Sequence, residues 1–102
     1  MGKMRVMVQY KVKSDRAEEN IQLIKIVFEQ LKTSLPAGLR YASFVLPDGV
    51  SFVHLASIET EDGANPLFTI DAFKVFSDTI QDRCVEPPSV RELTEIGSYN
   101  FF

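Results

Sequence analysis

His54 is the only histidine of this 102-residue chain, and Cys84 is the only cysteine. His54 stands in the run Ser51-Phe52-Val53-His54-Leu55-Ala56-Ser57-Ile58, where it alternates with Phe52, Ala56 and Ile58. On a strand those four residues share one face. An imidazole titrates near neutral pH, so in an apolar recess it can serve as a base or as an anchor for a ligand. The competing role is a structural histidine, hydrogen-bonded at a sheet or dimer surface. Arg40 and Tyr41 are neighbours, and only one of them can point into the same space as His54. Gln9, Tyr10, Ser43 and Tyr99 are further polar groups that either orient a ligand or simply pack across strands. Cys84 has no nearby histidine in a nucleophile motif, and a reactive thiol needs a special environment. A zinc site takes three or four ligands, and His54 and Cys84 come without ligand spacing, so no metal is expected.

These residues need elements to hold them. Residues 5–13 alternate, with Val6, Val8, Tyr10 and Val12 on one face and Met7, Gln9 and Lys11 on the other. That period of two marks a strand. Ser14 or Asp15 can cap a following helix, and Glu18 and Glu19 suit its positive end. Ala17, Ile21, Ile24, Phe28 and Leu31 then form an apolar stripe at helical spacing, about five turns long. Leu23, Ile26 and Val27 widen it. Pro36 and Gly38 close that helix. Residues 39–46 read as a second strand and residues 50–60 as a third, joined by the tight turn Pro47-Asp48-Gly49. The acidic stretch 59–66 could be a lid or a calcium loop. It lacks the spaced oxygens of a calcium loop, which favours a solvated connection. Thr69 or Asp71 can cap a second helix carrying Ile70, Phe73, Phe76, Ile80 and Cys84, with Pro87-Pro88 ending it. Residues 90–102 read as a last extended segment, with Gly97 a candidate bulge.

The order is β-α-β-β-α-β. Right-handed crossovers and the central hairpin lead to an α+β, ferredoxin-like domain spanning 1–102, a four-stranded antiparallel sheet with two helices on one face. The second face also carries apolar groups, and an uncovered apolar face invites a partner. A homodimer through the bare faces is therefore expected. The parity of strand pairing is not fixed by sequence. The set Val6, Val8, Tyr10 and Val12 suits the helix-covered face, which would place Gln9 with His54.

Composition narrows the partners. Net charge is −3 and the basic residues are scattered, which disfavours nucleic acid. No apolar run approaches the ~20 residues of a membrane helix. No signal-peptide core precedes the first strand, and a lone cysteine rules out an intrachain disulfide, so a reduced, cytoplasmic chain is expected.

The opening strand, the Gly38-Leu39-Arg40-Tyr41 entry to the second strand, the Phe52-Val53-His54 strand and the Asp71-Ala72-Phe73-Lys74-Val75-Phe76 helix together resemble the dimeric α/β-barrel superfamily. Within it, the chain is similar to the antibiotic-biosynthesis-monooxygenase-like domains. The resemblance implies a homodimer whose two sheets enclose a barrel-like space for a small apolar ligand. Some relatives oxidise aromatic polyketides without a cofactor, others degrade haem, and many have no known activity. Relatives often carry a Trp in the third strand and a His at the start of the second helix. This chain has no Trp, and the corresponding helix stretch reads Asn65-Pro66-Leu67-Phe68-Thr69, so haem ligation by a histidine there is excluded.

Three functions follow as expectations. The first is a cofactor-independent, monooxygenase-like enzyme with His54 as base and Gln9, Arg40, Tyr41, Phe52, Ala56 and Ile58 about a small apolar or aromatic compound. The second is a binding module without turnover. The third is a structural dimer whose barrel is filled by side chains.

Overall fold

The computed structural model describes residues 3–101. Met1, Gly2 and Phe102, the ends of the expected domain and of its last segment, lie outside the described residues. The elements are β1 (Met4–Val12), α1 (Ala17–Ser34), β2 (Leu39–Val45), β3 (Ser51–Ile58), α2 (Asp71–Asp78), α3 (Ile80–Arg83) and β4 (Cys84–Leu93). The strands form one antiparallel sheet in the order β2-β3-β1-β4. The helices pack on one face of it around Tyr10, Val12, Val27, Phe52, Leu67, Ile70, Phe76 and Ile80. This is the ferredoxin-like arrangement expected from the element order.

Register decides which face each residue takes, because directly paired residues project to the same side of a sheet. Val8 pairs with His54, Tyr10 with Phe52 and Val6 with Ala56. Leu39 pairs with Ile58, Tyr41 with Ala56, Ser43 with His54 and Val45 with Phe52. All of these therefore look toward the helices. Gln9 pairs with Val53 and Arg40 with Ser57, on the opposite face. The expected company of Gln9 and His54 is thus overturned. The set Val6, Val8, Tyr10 and Val12 does take the covered face, and it takes His54 with it.

Several boundaries move for local reasons. Neither Ser14 nor Asp15 caps α1; residues Ser14–Arg16 make a 3-10 turn ahead of it. The helix closes at Leu35, which takes a left-handed conformation (φ 48°) and returns its N–H to the Leu31 carbonyl. Gly38 opens β2 at φ 77°, and a Cβ there would sit 3.0 Å from the Glu59 carbonyl oxygen. Only glycine tolerates both conditions without strain. The second helix is broken into a 3-10 turn, Pro66–Thr69, then α2 and α3. Neither Thr69 nor Asp71 caps α2. Its first turn is served instead by Gln30 of α1, whose Oε1 accepts the Ala72 N–H at 3.0 Å. Cys84 belongs to β4, not to a helix, and Pro87-Pro88 lie within that strand. Proline survives there because β4 is an edge strand and its pairing with β1 is irregular between Gln9 and Val12. β4 ends at Leu93, so most of the expected last extended segment is not strand.

The face away from the helices carries Met7, Ala42, Val53 and Leu55, each half-buried, and Phe44, which is 48% exposed. Asn100 and Phe101 border a groove on it with Arg40, Ala42 and Leu55. At one corner Arg5 pairs with Glu95 at 2.8 Å and Arg40 with Glu59 at 3.4 Å. No helix of the described residues is long and apolar enough to cross a membrane.

Candidate functional site

His54 is 3% exposed and sits at the centre of a polar group enclosed by aromatic rings. Its Nε2 lies 2.8 Å from the Tyr10 hydroxyl. Its Nδ1 lies 2.7 Å from Ser43 Oγ and 2.9 Å from the Tyr41 hydroxyl. The rings of Tyr10, Tyr41 and Phe76 stand 5.4, 5.9 and 5.6 Å from the imidazole, two of them nearly parallel to it. Three adjacent strands supply this group. Tyr10 comes from β1, Tyr41 and Ser43 from β2 and His54 from β3, each by the alternation of side chains along its strand.

The polar group continues into the helix layer. Asn20 of α1, wholly buried, donates from Nδ2 to the Tyr10 hydroxyl at 2.9 Å. Arg83 of α3, also wholly buried, donates from Nε to Asn20 Oδ1 at 2.9 Å. Its other nitrogens reach Thr79 Oγ1 and the Phe76 carbonyl, and its guanidinium carbon lies 5.1 Å from the centre of the Phe76 ring. A buried charge persists only where its hydrogen bonds are met, and these three donors meet partners. The line from Arg83 through Asn20 and Tyr10 to His54 runs from helix to sheet through the core.

Burial governs the ionisation of the group. It lowers the His54 pKa from its ordinary value of 6.5 to about 4, so the ring is neutral at pH 7. Burial likewise raises the Tyr41 hydroxyl to about 12 and raises Tyr10 further, against the opposing hydrogen bond from Asn20. The site therefore carries uncharged hydroxyls and an uncharged imidazole across the neutral range.

Beside this group opens a cleft of about 260 Å³ between α1 and the β2–β3 edge of the sheet. Ile21, Ile24 and Phe28 of α1 form one wall, and Phe52 and Val45 the other. Ser43 supplies the hydroxyl in this lining, and Lys25 the charge. Ser43 thus connects the apolar cleft to the buried imidazole. The cleft lies within one chain, between sheet and helices, which differs from the expected space between two sheets. Among the residues expected to line a ligand site, Phe52 does so. Tyr41 reaches the same imidazole from β2. Ala56 and Ile58 share the covered face but are packed at 7% and 5% exposure, outside the cleft lining. Gln9 and Arg40 belong to the other face.

Asn20 and Arg83 were missed in the sequence, yet both leave a signal. Asn20 lies four residues before Ile24 on the stripe of α1, and Arg83 lies three after Ile80 on the stripe of the second helix. A polar or charged residue on an apolar stripe has to find buried partners. Among the described residues no cluster of three or more His, Cys, Asp or Glu side chains could hold a metal ion.

No protein-family model matches the chain, and no curated protein matches it. Solved structures do. A structure named as an antibiotic biosynthesis monooxygenase superposes with a TM-score of 0.75 at 16% identity, over 92% of this chain and 99% of that one. A protein from Mycobacterium tuberculosis gives 0.77 at 12% identity, over 95% and 98%. A protein of unknown function from Nitrosomonas europaea gives 0.73 at 9% identity, over 95% and 92%. At such identities likeness is a matter of fold and not of activity. Many of the structural neighbours are antibiotic-biosynthesis-monooxygenase-like proteins, and this chain has their ferredoxin-like α+β fold.

Proposed function

We propose that this protein handles a small, planar, mostly apolar compound bearing a phenol or enol oxygen, and oxidises it as a monooxygenase without a cofactor. The observation that carries the reading is the position of Ser43, which lines the cleft and whose Oγ lies 2.7 Å from His54 Nδ1. Apolar walls hold the ring system, and the hydroxyl with the imidazole behind it takes the oxygen. His54 assists ionisation of that oxygen, and the resulting enolate passes electrons to dioxygen. In the overall change a ring methylene and dioxygen give a carbonyl and water: one oxygen atom enters the new C=O bond, and the other leaves with the two hydrogens. Holding the enolate in a fixed orientation between apolar walls favours that course over side reactions. The names of several structures with this fold are consistent with such chemistry.

The uncovered sheet face is part of the same proposal. Met7, Ala42, Phe44, Val53 and Leu55 form an apolar surface that a second copy of the chain would cover, giving a cytoplasmic homodimer of single-domain subunits.

Oxygen uptake, measured while phenols and enolisable aromatic ketones are offered in turn, tests the enzyme reading. Uptake by the wild-type protein that disappears in a folded His54→Ala variant supports it. Saturable binding with no uptake or product would leave a binding module instead. No binding by any of these compounds would remove the cleft from the account.

A further inference from the structure

The direction of every hydrogen bond between Arg83 and His54 follows from the chemistry of one end. A guanidinium has donors only. The Asn20 atom facing Arg83 Nε must therefore be the amide oxygen, at 2.9 Å, and the amide nitrogen must face Tyr10. The Tyr10 oxygen receives that N–H, so its own hydrogen is left to point at His54 Nε2, 2.8 Å away. A neutral imidazole has one accepting nitrogen and one N–H. With Nε2 accepting, the hydrogen sits on Nδ1, which faces Ser43 Oγ at 2.7 Å and the Tyr41 hydroxyl at 2.9 Å. The opposite tautomer would give Tyr10 two incoming hydrogen bonds and leave its buried hydrogen with no acceptor among these partners, a costly state.

We infer that Arg83 is a positioning residue which, through Asn20 and Tyr10, holds His54 in its Nδ1–H form, so that the cleft offers hydrogen-bond donors to a ligand oxygen carrying negative charge, a phenolate or enolate. This rests on the reading of the cleft as the binding site and states how His54 assists there: it donates. Ser43 accepts from the ring, which leaves its own hydrogen to the Tyr41 hydroxyl or to a ligand oxygen in the cleft. The charged side chain in the cleft lining, Lys25, is a cation and suits the same ligand. The groups facing His54 from the other elements add no competing charge. β1 and β2 present Tyr10 and Tyr41, and α2 presents the ring of Phe76.

The chain has a single histidine, so protein labelled with ¹⁵N in histidine gives one ring to read by NMR. The expected spectrum of the ligand-free wild-type protein at pH 7 shows a protonated Nδ1 and a bare Nε2. Asn20→Asp should reverse it. Its carboxylate accepts from both Arg83 and the Tyr10 hydroxyl, so Nε2 must donate to Tyr10. Arg83→Lys, which keeps a donor, should preserve the wild-type form. A bare Nδ1 in the wild type, or an unchanged spectrum in Asn20→Asp, overturns the role of Arg83. Should Asn20→Asp not fold, Tyr10→Phe serves: removal of the donor to Nε2 should replace one tautomer with a mixture, and an unchanged spectrum is the contrary result.

The ligand half is read with para-nitrophenol, whose phenolate is coloured. Binding to the wild-type protein should lower its ionisation midpoint by about one pH unit, a tenfold change in ionisation, and Asn20→Asp should abolish or reverse that shift. An upward or absent shift in the wild type overturns the oxyanion claim. Failure of para-nitrophenol to bind overturns it together with the cleft of the proposed function, whereas the spectrum of ligand-free protein judges Arg83 independently.

Discussion

Ser43 and His54 face each other across the β2–β3 ladder, with Oγ and Nδ1 2.7 Å apart, and of the two only Ser43 lines the cleft. The serine is thus the point at which a bound molecule would meet the buried imidazole. Ser43→Ala removes that hydroxyl and leaves the half-buried strand position with a residue of similar volume. We expect stability to change by no more than about 1 kcal/mol, since Tyr41 still bonds Nδ1. Affinity for a phenolic ligand should fall roughly tenfold, the worth of one hydrogen bond to a charged oxygen. Isothermal titration beside thermal unfolding separates the two effects, and unaltered affinity would place the ligand elsewhere.

The buried imidazole also makes stability depend on pH. Its pKa is about 4 in the folded chain and near 6.5 when unfolded. Between those values the unfolded chain binds more protons, so stability rises with pH through this window and levels off above it. Lowering the pH from 6.5 to 4 should cost on the order of 3 kcal/mol from this residue. Urea unfolding at closely spaced pH values measures the slope. In a folded His54→Gln variant that contribution should vanish; persistence of the full slope would assign it to other groups.

Asn20 holds together the two halves of the core network. Asn20→Ala strands the Nε–H of wholly buried Arg83 and removes a donor from Tyr10. A buried charge losing a partner is among the most damaging single changes, and we expect a loss of about 3 kcal/mol. The double variant Asn20→Ala/Arg83→Met removes the stranded charge as well, so its loss should fall short of the sum of the two singles. Chemical denaturation of the four proteins gives the coupling, and simple additivity would mean the two residues do not act together.

Phe44 is 48% exposed on the face away from the helices, where it neighbours Val53 across the ladder. A charge there costs the isolated chain little, because the position is already half in water. Across a dimer interface the same charge would be buried without a partner. Phe44→Asp should therefore yield a folded monomer at concentrations where the wild type is a dimer. Sedimentation equilibrium gives the masses, and a wild-type chain that is monomeric throughout would sink the pairing of uncovered faces.

Local pattern alone determined the elements and their order. Alternation along residues 5–13, the stripe from Ala17 to Leu31 and the turn at Asp48-Gly49 each depend on neighbours a few residues away. The right-handed crossover rule then leaves one economical sheet. Pattern also marked His54 and Tyr41 as polar groups among apolar ones. It did not determine where the second helix stops, because the edge position that lets Pro87 and Pro88 enter β4 is a property of the assembled sheet. Nor did it determine the company His54 keeps. A shift of one residue in strand register sends every side chain to the other face. Only the pairing of Val8 with His54 excluded Gln9 and brought in Tyr10. Asn20 and Arg83 lie 63 residues apart, and no local period connects them. Their meeting needed both helices laid on the same face, where the low polarity of the core required each buried polar group to find the other.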